Sequence, residues 1–414
     1  MLLSLLLFSM LLVENKSLIG VQEWSTLHSN QAISFNELKD NINFSAIMEH
    51  IRRISSMGSR VTGYPGYKKV ADYIKNVMES YDGVSVEIQK YKVPVPVEKL
   101  AKINVLSPIK KEFKAHILWP NGVQTSSTPP GGLKGNLIYV ADGALKQFDG
   151  KRVEDSIVLM EFNSEDNWLN AARLGAKAVI FIEPDTSDYL QSLKKFIDAP
   201  LYMPRLYVNK DVGSFLKMLV TKSREPVQIK IESRMFYEEV EGINIIAKIN
   251  GTLNPNDVIV ITAHYDTWSC VPAVSFGARE AISVSVLLEL ARYFSVHKPA
   301  KTVWLVALSG HWQALAGARE FVEEYYFSED VQSGKVKPWV LIDIGLLSPE
   351  GNQMAVLGGV GHLYRIAVQG FESRFLNVEL KLRREYLADN EFRSFIREVV
   401  GVDPESFIQI PRIT

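Results

Sequence analysis

Two apolar strands that each end in chemically useful side chains constrain this chain more than any other feature. Residues 258–262 are all β-branched, and His264 follows them. Residues 302–308 form a second apolar run, with His311 shortly after it. Between the two runs, residues 282–290 place apolar side chains three and four apart, which is typical of a helix. Because open α/β sheets build sites where strands end, this order predicts an α/β fold with a site at one sheet edge.

The same stretch resembles the M28 family of zinc aminopeptidases and carboxypeptidases. Members of that family carry a HYD motif after a strand, a GA-x-D loop, a helix ending in LLELAR, a GEE motif after a second strand, and G-[SA]-x-x-F. The resemblance implies a mixed, mostly parallel sheet flanked by helices, as in zinc exopeptidases. The matching residues are His264-Tyr265-Asp266, Gly277-Ala278, and the ranges 287–292 and 317–321.

The resemblance also implies positions for a dizinc site. His264 matches the first metal ligand, and Asp266 matches the carboxylate that orients a ligand histidine through its other ring nitrogen. Glu280 stands at the bridging aspartate, where its extra methylene extends the carboxylate by roughly 1.5 Å. Asp343 matches the aspartate on a later strand. His264, Glu280 and Asp343 would therefore complete the ligand set of one metal.

The general base and the ligands of the family's other metal are replaced in this sequence. His311 stands at the position of the general base, and Trp312 at a glutamate ligand. Pro404 aligns with a late histidine ligand. Indole and pyrrolidine supply no lone pair to a cation, so the sequence predicts at most one zinc and favours none. Without metal, Glu280 is expected to pair with a cation such as Arg279, and His264 to bond to Asp266 or Asp343.

Composition breaks divide the chain into segments. Residues 40–117 read as the first part of an M28 peptidase-like domain, and residues 240–414 as its second part, which is short at the C-terminus for the family. Between them, residues 118–234 begin with a Thr/Ser/Pro/Gly-rich linker at 125–133. The middle segment resembles a protease-associated (PA) domain, which would make it a β-rich, non-catalytic insertion.

Periodicity predicts individual elements along these segments. Helices are expected around a turn in residues 44–81, at 167–174, at 363–375 and at 389–400. Strands are expected at 84–95, 137–140, 157–160, 178–182, 205–208, 242–250, 340–344 and 354–357.

Export is favoured by the N-terminus and by three glycosylation sequons. Residues 1–20 contain an apolar core of signal-peptide length, and the alternative is an N-terminal hydrophobic segment that acts as an anchor or forms a buried helix. The sequons begin at Asn15, Asn43 and Asn250, and the last two are the predicted glycosylation sites. No other stretch is long and apolar enough for a membrane span. The sequence therefore predicts a secreted or cell-surface protein.

Charge and cysteine content exclude several classes of function. A net charge of −1 over 414 residues gives no basis for binding nucleic acid. The single cysteine, Cys270, excludes an intramolecular disulfide framework and a thiolate zinc site, and is expected to be a small buried apolar residue. The favoured function is a peptidase scaffold retained for binding a peptide or protein. The alternatives are an exopeptidase with one zinc, and a dizinc enzyme whose second site uses unaligned residues.

Overall fold

The computed structural model describes residues 40–345, which from Asn43 onward belong to one compact unit. Short 3₁₀ turns lie at Leu145–Phe148 and Pro272–Val274, and one π-helical turn at Val322–Tyr326. The α-helices are α1 (Phe44–Ser56), α2 (Pro65–Glu79), α3 (Trp168–Arg173), α4 (Tyr189–Leu193), α5 (Lys210–Lys222), α6 (Ala281–Val296), α7 (Ala316–Phe321) and α8 (Glu329–Gln332).

Eleven strands join into one mixed sheet. Its order is β11-β9-β10-β8-β4-β5-β6-β7-β3, and β1 pairs with β8 and β2. The strands are β1 (Ser85–Ser107), β2 (Lys111–Lys114), β3 (His116–Ile117), β4 (Leu133–Tyr139), β5 (Ile157–Glu161), β6 (Ala178–Ile182), β7 (Arg205–Val208), β8 (Gln228–Ile249), β9 (Asn254–His264), β10 (Lys301–Leu308) and β11 (Lys337–Asp343).

The predicted mixed, mostly parallel sheet flanked by helices is confirmed. Strands β11, β9 and β10 form one parallel group, and β4 to β7 form another. The antiparallel pairings of the described residues all involve β1, β8 or the short strand β3. The long antiparallel pair of β1 and β8 thus connects two parallel groups, and each group belongs to a different part of the sequence.

The strands of the second parallel group are apolar because both of their faces are covered. In β5, Ile157 and Leu159 pack into one buried cluster, while Val158 and Met160 pack into another on the opposite face. Successive side chains of a strand point to opposite faces, so a strand buried on both sides reads as an unbroken apolar run. This is why the sequence predicted these short strands correctly.

Helices α1 and α2 begin and pack as their sequences predict. The Asn43 side chain caps α1 by accepting a hydrogen bond from the amide of Ala46 at 3.0 Å. Pro65 occupies the first position of α2, where its missing N–H costs nothing. Both helices pack against α6, which is buried around most of its circumference. Because α6 is packed on most sides, the segment that leads into it has a fixed position at the edge of the sheet.

The largest differences from the prediction concern three elements. The strand expected at 84–95 continues to Ser107, and the strand expected at 242–250 begins at Gln228. Helix α5 was not predicted. Charged residues alternate with apolar ones along β1 and β8 and form cross-strand pairs such as Lys90 with Glu241, and only residues 84–95 and 242–250 of the two strands were recognised from the sequence.

Several predicted features lie outside the described residues. These are residues 1–20, Asn15, the strand at 354–357, the helices at 363–375 and 389–400, and Pro404. Among the helices of residues 40–345, none has the length and apolar character required to cross a membrane. The division into segments 40–117, 118–234 and 240–414 stays a prediction.

Candidate functional site

The candidate site lies where the parallel strands β9 and β10 end side by side. Their last paired residues are His264 and Leu308, and the amide of Tyr265 donates to the carbonyl of Leu308 at 3.0 Å. The loop that follows β9 carries Asp266, and the loop that follows β10 carries His311. The structure therefore brings together the two strand ends that the sequence singled out.

His264 is buried and lies against two aromatic rings. It is 3% exposed, and its ring stacks on that of His311 with centroids 4.0 Å apart and planes 20° from parallel. The ring of Trp312 meets it edge-on at 6.4 Å. Its Nε2 atom has no hydrogen-bond partner among the described residues. Burial, with smaller contributions from His311 and Arg60, lowers the pKa of His264 to about 3, so its imidazole is neutral at physiological pH.

Asp266 does not orient His264 in this structure but is hydrogen-bonded to two other segments. Its Oδ2 accepts hydrogen bonds from the Thr62 hydroxyl at 3.1 Å and from the amide of His311 at 3.0 Å. Its Oδ1 is buried without a partner in the described part of the chain. Burial raises the pKa of this carboxyl to about 7, although the bonds from Thr62 and His311 oppose the shift. Asp266 therefore holds the two strand-end loops against the turn that precedes α2.

A fully buried arginine that sequence analysis passed over organises the loop after β9. The Arg60 guanidinium donates to the carbonyls of Tyr265 at 3.0 Å, Gly277 at 2.6 Å and Phe276. Burial lowers the pKa of Arg60 to about 10, and the nearby charges of Glu280 and Asp266 oppose that shift. The sequence showed Arg60 only as part of a turn, because nothing local marks an arginine whose partners lie about 205 to 217 residues away.

Glu280 is half-buried at the residue before α6, within the electrostatic reach of Arg60. The expected ion pair with Arg279 is absent. In residues 40–345, Glu280 forms no ion pair with Arg279 or with any other cationic side chain. Arg279 itself is exposed. The cation that interacts with the Glu280 carboxylate is therefore Arg60, at a distance longer than an ion pair.

Asp343 lies at the end of β11 and is exposed, although its strand is apolar in sequence. Its Oδ1 accepts a hydrogen bond from the Thr262 hydroxyl on β9 at 2.6 Å. Its charge acts on His311, whose pKa is lowered by burial and partly restored by Asp343. Asp343 thus lies on the same sheet edge as His264 but is bonded to a neighbouring strand.

A buried network of hydrogen bonds surrounds Ser309, the residue that follows β10. The Ser309 hydroxyl accepts hydrogen bonds from the amide of Ile243 and the hydroxyl of Tyr67, both at 3.1 Å, and lies 2.9 Å from the hydroxyl of Tyr91. The hydroxyl of Tyr265 donates to the carbonyl of Ile243 at 2.7 Å. These residues were not predicted, since tyrosines on separate elements carry no shared sequence signal.

The described residues do not fit a zinc ion as they are arranged. No group of three or more His, Cys, Asp or Glu side chains within residues 40–345 is placed to hold a metal. The rings of His264 and His311 are nearly parallel, and imidazole lone pairs lie in the ring plane, so the two rings do not converge on one cation. Three convergent ligands are the minimum for a catalytic zinc site.

Cys270 and the two predicted glycosylation sites are the remaining predicted positions. Cys270 is 1% exposed, and burial raises the pKa of its thiol to about 11, as befits a small apolar residue. Asn43 and Asn250 are both exposed. The hydroxyl of Thr252, in the second sequon, donates to the carbonyl of Pro299 at 3.2 Å.

Comparison with known proteins identifies the part of the chain that carries this site. Residues 244–365 match the model of Peptidase family M28. A vacuolar membrane protease of Laccaria bicolor is 36% identical over 84 residues, which are 20% of this chain and 8% of that protein. A probable zinc metalloprotease of Pyricularia oryzae is 32% identical over 87 residues, 20% of this chain and 17% of that protein. The chain thus spans less than a fifth of the length of these relatives.

Longer but more distant similarities extend over more of the chain. Carboxypeptidase Q of Mus musculus is 20% identical over 317 residues, 72% of this chain and 65% of that protein. Among solved structures, a peptidase M28 precursor from Shewanella amazonensis is 16% identical, with a TM-score of 0.46, over 73% of this chain and 71% of that one. A zinc aminopeptidase from Bacillus subtilis is 21% identical, with a TM-score of 0.45, over 70% of this chain and 66% of that one.

Proposed function

We propose that this chain, whose residues 244–365 match the model of Peptidase family M28, is an exported member of that family whose peptidase scaffold serves binding in place of dizinc catalysis. Hydrolysis by this family's chemistry needs a water polarised by metal and a base that takes its proton. The positions that supply the base and one metal ligand hold His311 and Trp312. The proposal is that both functions are lost together.

The stacking of His311 on His264 carries this proposal. A metal ligand directs the lone pair in its ring plane at the cation, and the nearly parallel stacking of His264 and His311 prevents the two imidazoles from directing their lone pairs at one cation, while the ring of Trp312 lies perpendicular to His264 with its centroid 6.4 Å away. The imidazole of His311 is also buried enough to have a lowered pKa, and its own amide is bonded to Asp266. These contacts suit a packed polar core better than a catalytic centre.

An activity assay tests the loss of catalysis. The purified full-length protein and the variant His264→Ala are incubated with aminoacyl and peptidyl chromogenic substrates, with and without added zinc. We expect both proteins to give the background rate, because the variant removes nothing that acts on substrate. Zinc-dependent turnover in the natural protein that disappears in His264→Ala would contradict the proposal.

A single-zinc exopeptidase is the second candidate, and the unpartnered Nε2 of His264 favours it. Its ligands would be His264, Glu280 and Asp343, which requires His311 and Trp312 to move aside. Elemental analysis and calorimetric titration of the chelator-treated protein decide between the candidates. If the protein bound one zinc tightly per chain and lost it in Asp343→Ala, the single-zinc exopeptidase would be favoured over the binding scaffold. His311 would then be the first residue to test as the general base.

The proposal includes the setting in which the scaffold acts. Its partner would be a peptide or protein, as expected of a peptidase scaffold retained for binding. Residues 118–234 would be a PA-like insertion that shapes access to the site, a reading supported by the covered parallel strands β4 to β7. Export to the cell surface or medium would be accompanied by glycans on Asn43 and Asn250.

A further inference from the structure

The loop between β9 and α6 is closed at its base by one side chain. Arg60 bonds to the carbonyl of Tyr265 on the outgoing side and to that of Gly277 on the returning side. Its backbone repeats the connection, since its amide donates to the carbonyl of Ser275 at 3.2 Å and its carbonyl accepts from the amide of Thr267 at 3.1 Å. Residues 268–274, which we call the tip, therefore leave and return through a fixed neck, as in a compact Ω-loop.

The tip lies inside a core that belongs to another part of the sequence. Cys270 and Val271 are 1% and 3% exposed, and they pack into the buried cluster formed by strands β5 and β6 and helix α3. The amide of Trp119 donates to the carbonyl of Cys270 at 2.7 Å. A loop that starts at the candidate site thus supplies part of the core of residues 118–234.

Trp268 at the start of the tip is the centre of a ring cluster. Three of its neighbours belong to residues 118–234: Phe196 at 5.5 Å, Trp119 at 5.9 Å and Tyr189 at 6.2 Å between ring centroids. The fourth is Trp312, at 6.1 Å, whose own ring meets His264. A chain of ring contacts therefore runs from residues 118–234 through Trp268 and Trp312 to His264.

A second connection between the two regions is the ribbon of β1 and β8, whose register is irregular. Its register shifts between Glu98 and Leu100, the mark of a β-bulge. The Glu98 amide donates to the Tyr64 hydroxyl at 3.0 Å, and its carboxylate accepts from the amide of Ile117 at 2.6 Å. A bulge bends a strand pair locally, so a change of angle between the two halves of the ribbon would be concentrated here and would act on the two hydrogen bonds of Glu98.

From these contacts we propose that residues 268–274 are a latch that couples the position of residues 118–234 to the geometry of the site. When the ribbon bends at Glu98, the tip must either leave its core or pull on its neck. The neck carries Thr267 and Asp266, and Asp266 is bonded to the amide of His311. A partner that moves the inserted segment would thereby rearrange the site without touching it. This inference does not depend on whether the site binds metal.

Hydrogen exchange of the full-length protein tests the coupling from the inserted side. Phe196→Ala removes a ring that lies in residues 118–234 and contacts Trp268. We expect the amides of Thr267 and His311 to exchange faster by between about two-fold and ten-fold, the factor that one lost aromatic contact gives in an opening equilibrium. Phe113→Ala is the matched control, since Phe113 is also half-buried but packs on Phe215.

The result that supports the latch is faster exchange of both amides in Phe196→Ala and unchanged exchange in Phe113→Ala. Faster exchange confined to residues 118–234, or equal effects of the two variants at the site, would overturn it. Tyr189→Ala provides a second test in case Phe196→Ala does not fold, because Tyr189 is 49% exposed and contributes little to the core. The same increase at Thr267 and His311 is expected there, and its absence would also overturn the latch.

Discussion

Arg60 is fully buried, and its guanidinium donates to the backbone carbonyls of three residues. A buried charge is costly unless its hydrogen bonds are satisfied. Carbonyl oxygens satisfy the donors without cancelling the charge, and the carboxylates of Glu280 and Asp266 add a favourable field at longer range. Arginine suits this position because its planar fork presents several donors at fixed angles. The loop between β9 and α6 therefore supplies the carbonyl groups that satisfy the Arg60 guanidinium, and the guanidinium in turn closes that loop.

Arg60→Lys tests this role at the residue scale. Lysine keeps the positive charge, but its single ammonium group cannot reach three carbonyls that surround a planar fork. We expect the free energy of unfolding to fall by about 2–4 kcal/mol, because buried carbonyl groups lose their donors. Urea denaturation measures the change.

Arg53→Lys is the control for this substitution. Arg53 lies on α1 with a side chain that is 61% exposed, where it pairs with Glu49, so the change should stay within about 0.5 kcal/mol. Equal effects at the two positions would show that Arg60 is not the structural centre of the loop.

At the residue scale, the sequence predicted which residues lie close together but not which hydrogen bonds and ion pairs they form. His264, Asp266 and His311 come together because strand ends of a parallel sheet share an edge. The bonding of Asp266 to Thr62 could not be predicted, since it depends on how the turn before α2 docks on the sheet. The expected pair of Glu280 with Arg279 failed for a related reason. Arg60 already supplies a buried positive charge, and Arg279 is exposed to solvent.

Strands β1 and β8 are the elements that sequence analysis predicted least well. They pair from Ser85 with Lys248 to Ser107 with Gln228. Much of this ribbon carries opposite charges across the strands, such as Lys92 with Glu239 and Lys248 with Glu87. Such exposed pairs contribute little each, so the ribbon is held by its backbone bonds and by the apolar residues of its other face. The sequence predicted residues 84–95 and 242–250 of this ribbon and missed residues 96–107 and 228–241.

A close contact inside the ribbon yields a prediction at the element scale. Gly242 lies directly opposite Tyr91, and a Cβ atom at Gly242 would come within 2.2 Å of the tyrosine ring. Gly242→Ala should therefore displace Tyr91 and its contact with Ser309, and lower the free energy of unfolding by about 1–3 kcal/mol.

The double variant Gly242→Ala with Tyr91→Ala provides the check on the mechanism. Removing the ring makes room for the new methyl group, so the double variant should lose less than the sum of the two single losses. Thermal or urea unfolding of all four proteins gives this coupling. Additive losses would mean that Gly242 is required for another reason.

At the scale of the molecule, two parallel groups of strands share one sheet because β1 and β8 run through both. The sequence predicted each group and the segment that separates them, since parallel strands buried on both faces are easy to recognise. It did not predict that β8 crosses without interruption from Gln228 to Ile249. It also could not predict that residues 268–274 fill a core formed elsewhere, because such a contact leaves no local pattern.

The shared strands imply that residues 118–234 are not a complete folding unit. The buried cluster on one face of β4 to β7 includes Ala101, Ile103 and Val105 from β1, all of which precede residue 118. A fragment of residues 118–234 would expose that face and leave the first part of β8 paired with β4 but without β1 on its other side. Burial of apolar side chains is the main source of stability, and each of these residues contributes roughly 1–2 kcal/mol.

We therefore predict that a fragment of residues 96–239 unfolds cooperatively in urea, whereas a fragment of residues 118–234 gives no cooperative transition. Even the longer fragment should have a lower midpoint than the full chain, because it lacks Cys270 and Val271 from the tip. Far-UV circular dichroism against urea concentration measures both transitions. If the shorter fragment unfolded as cooperatively as the longer one, at the same midpoint, β1 would be only an edge strand laid on a finished domain. In that case β8, which pairs with both β10 and β4, and the tip would connect the two parallel groups without a contribution from β1.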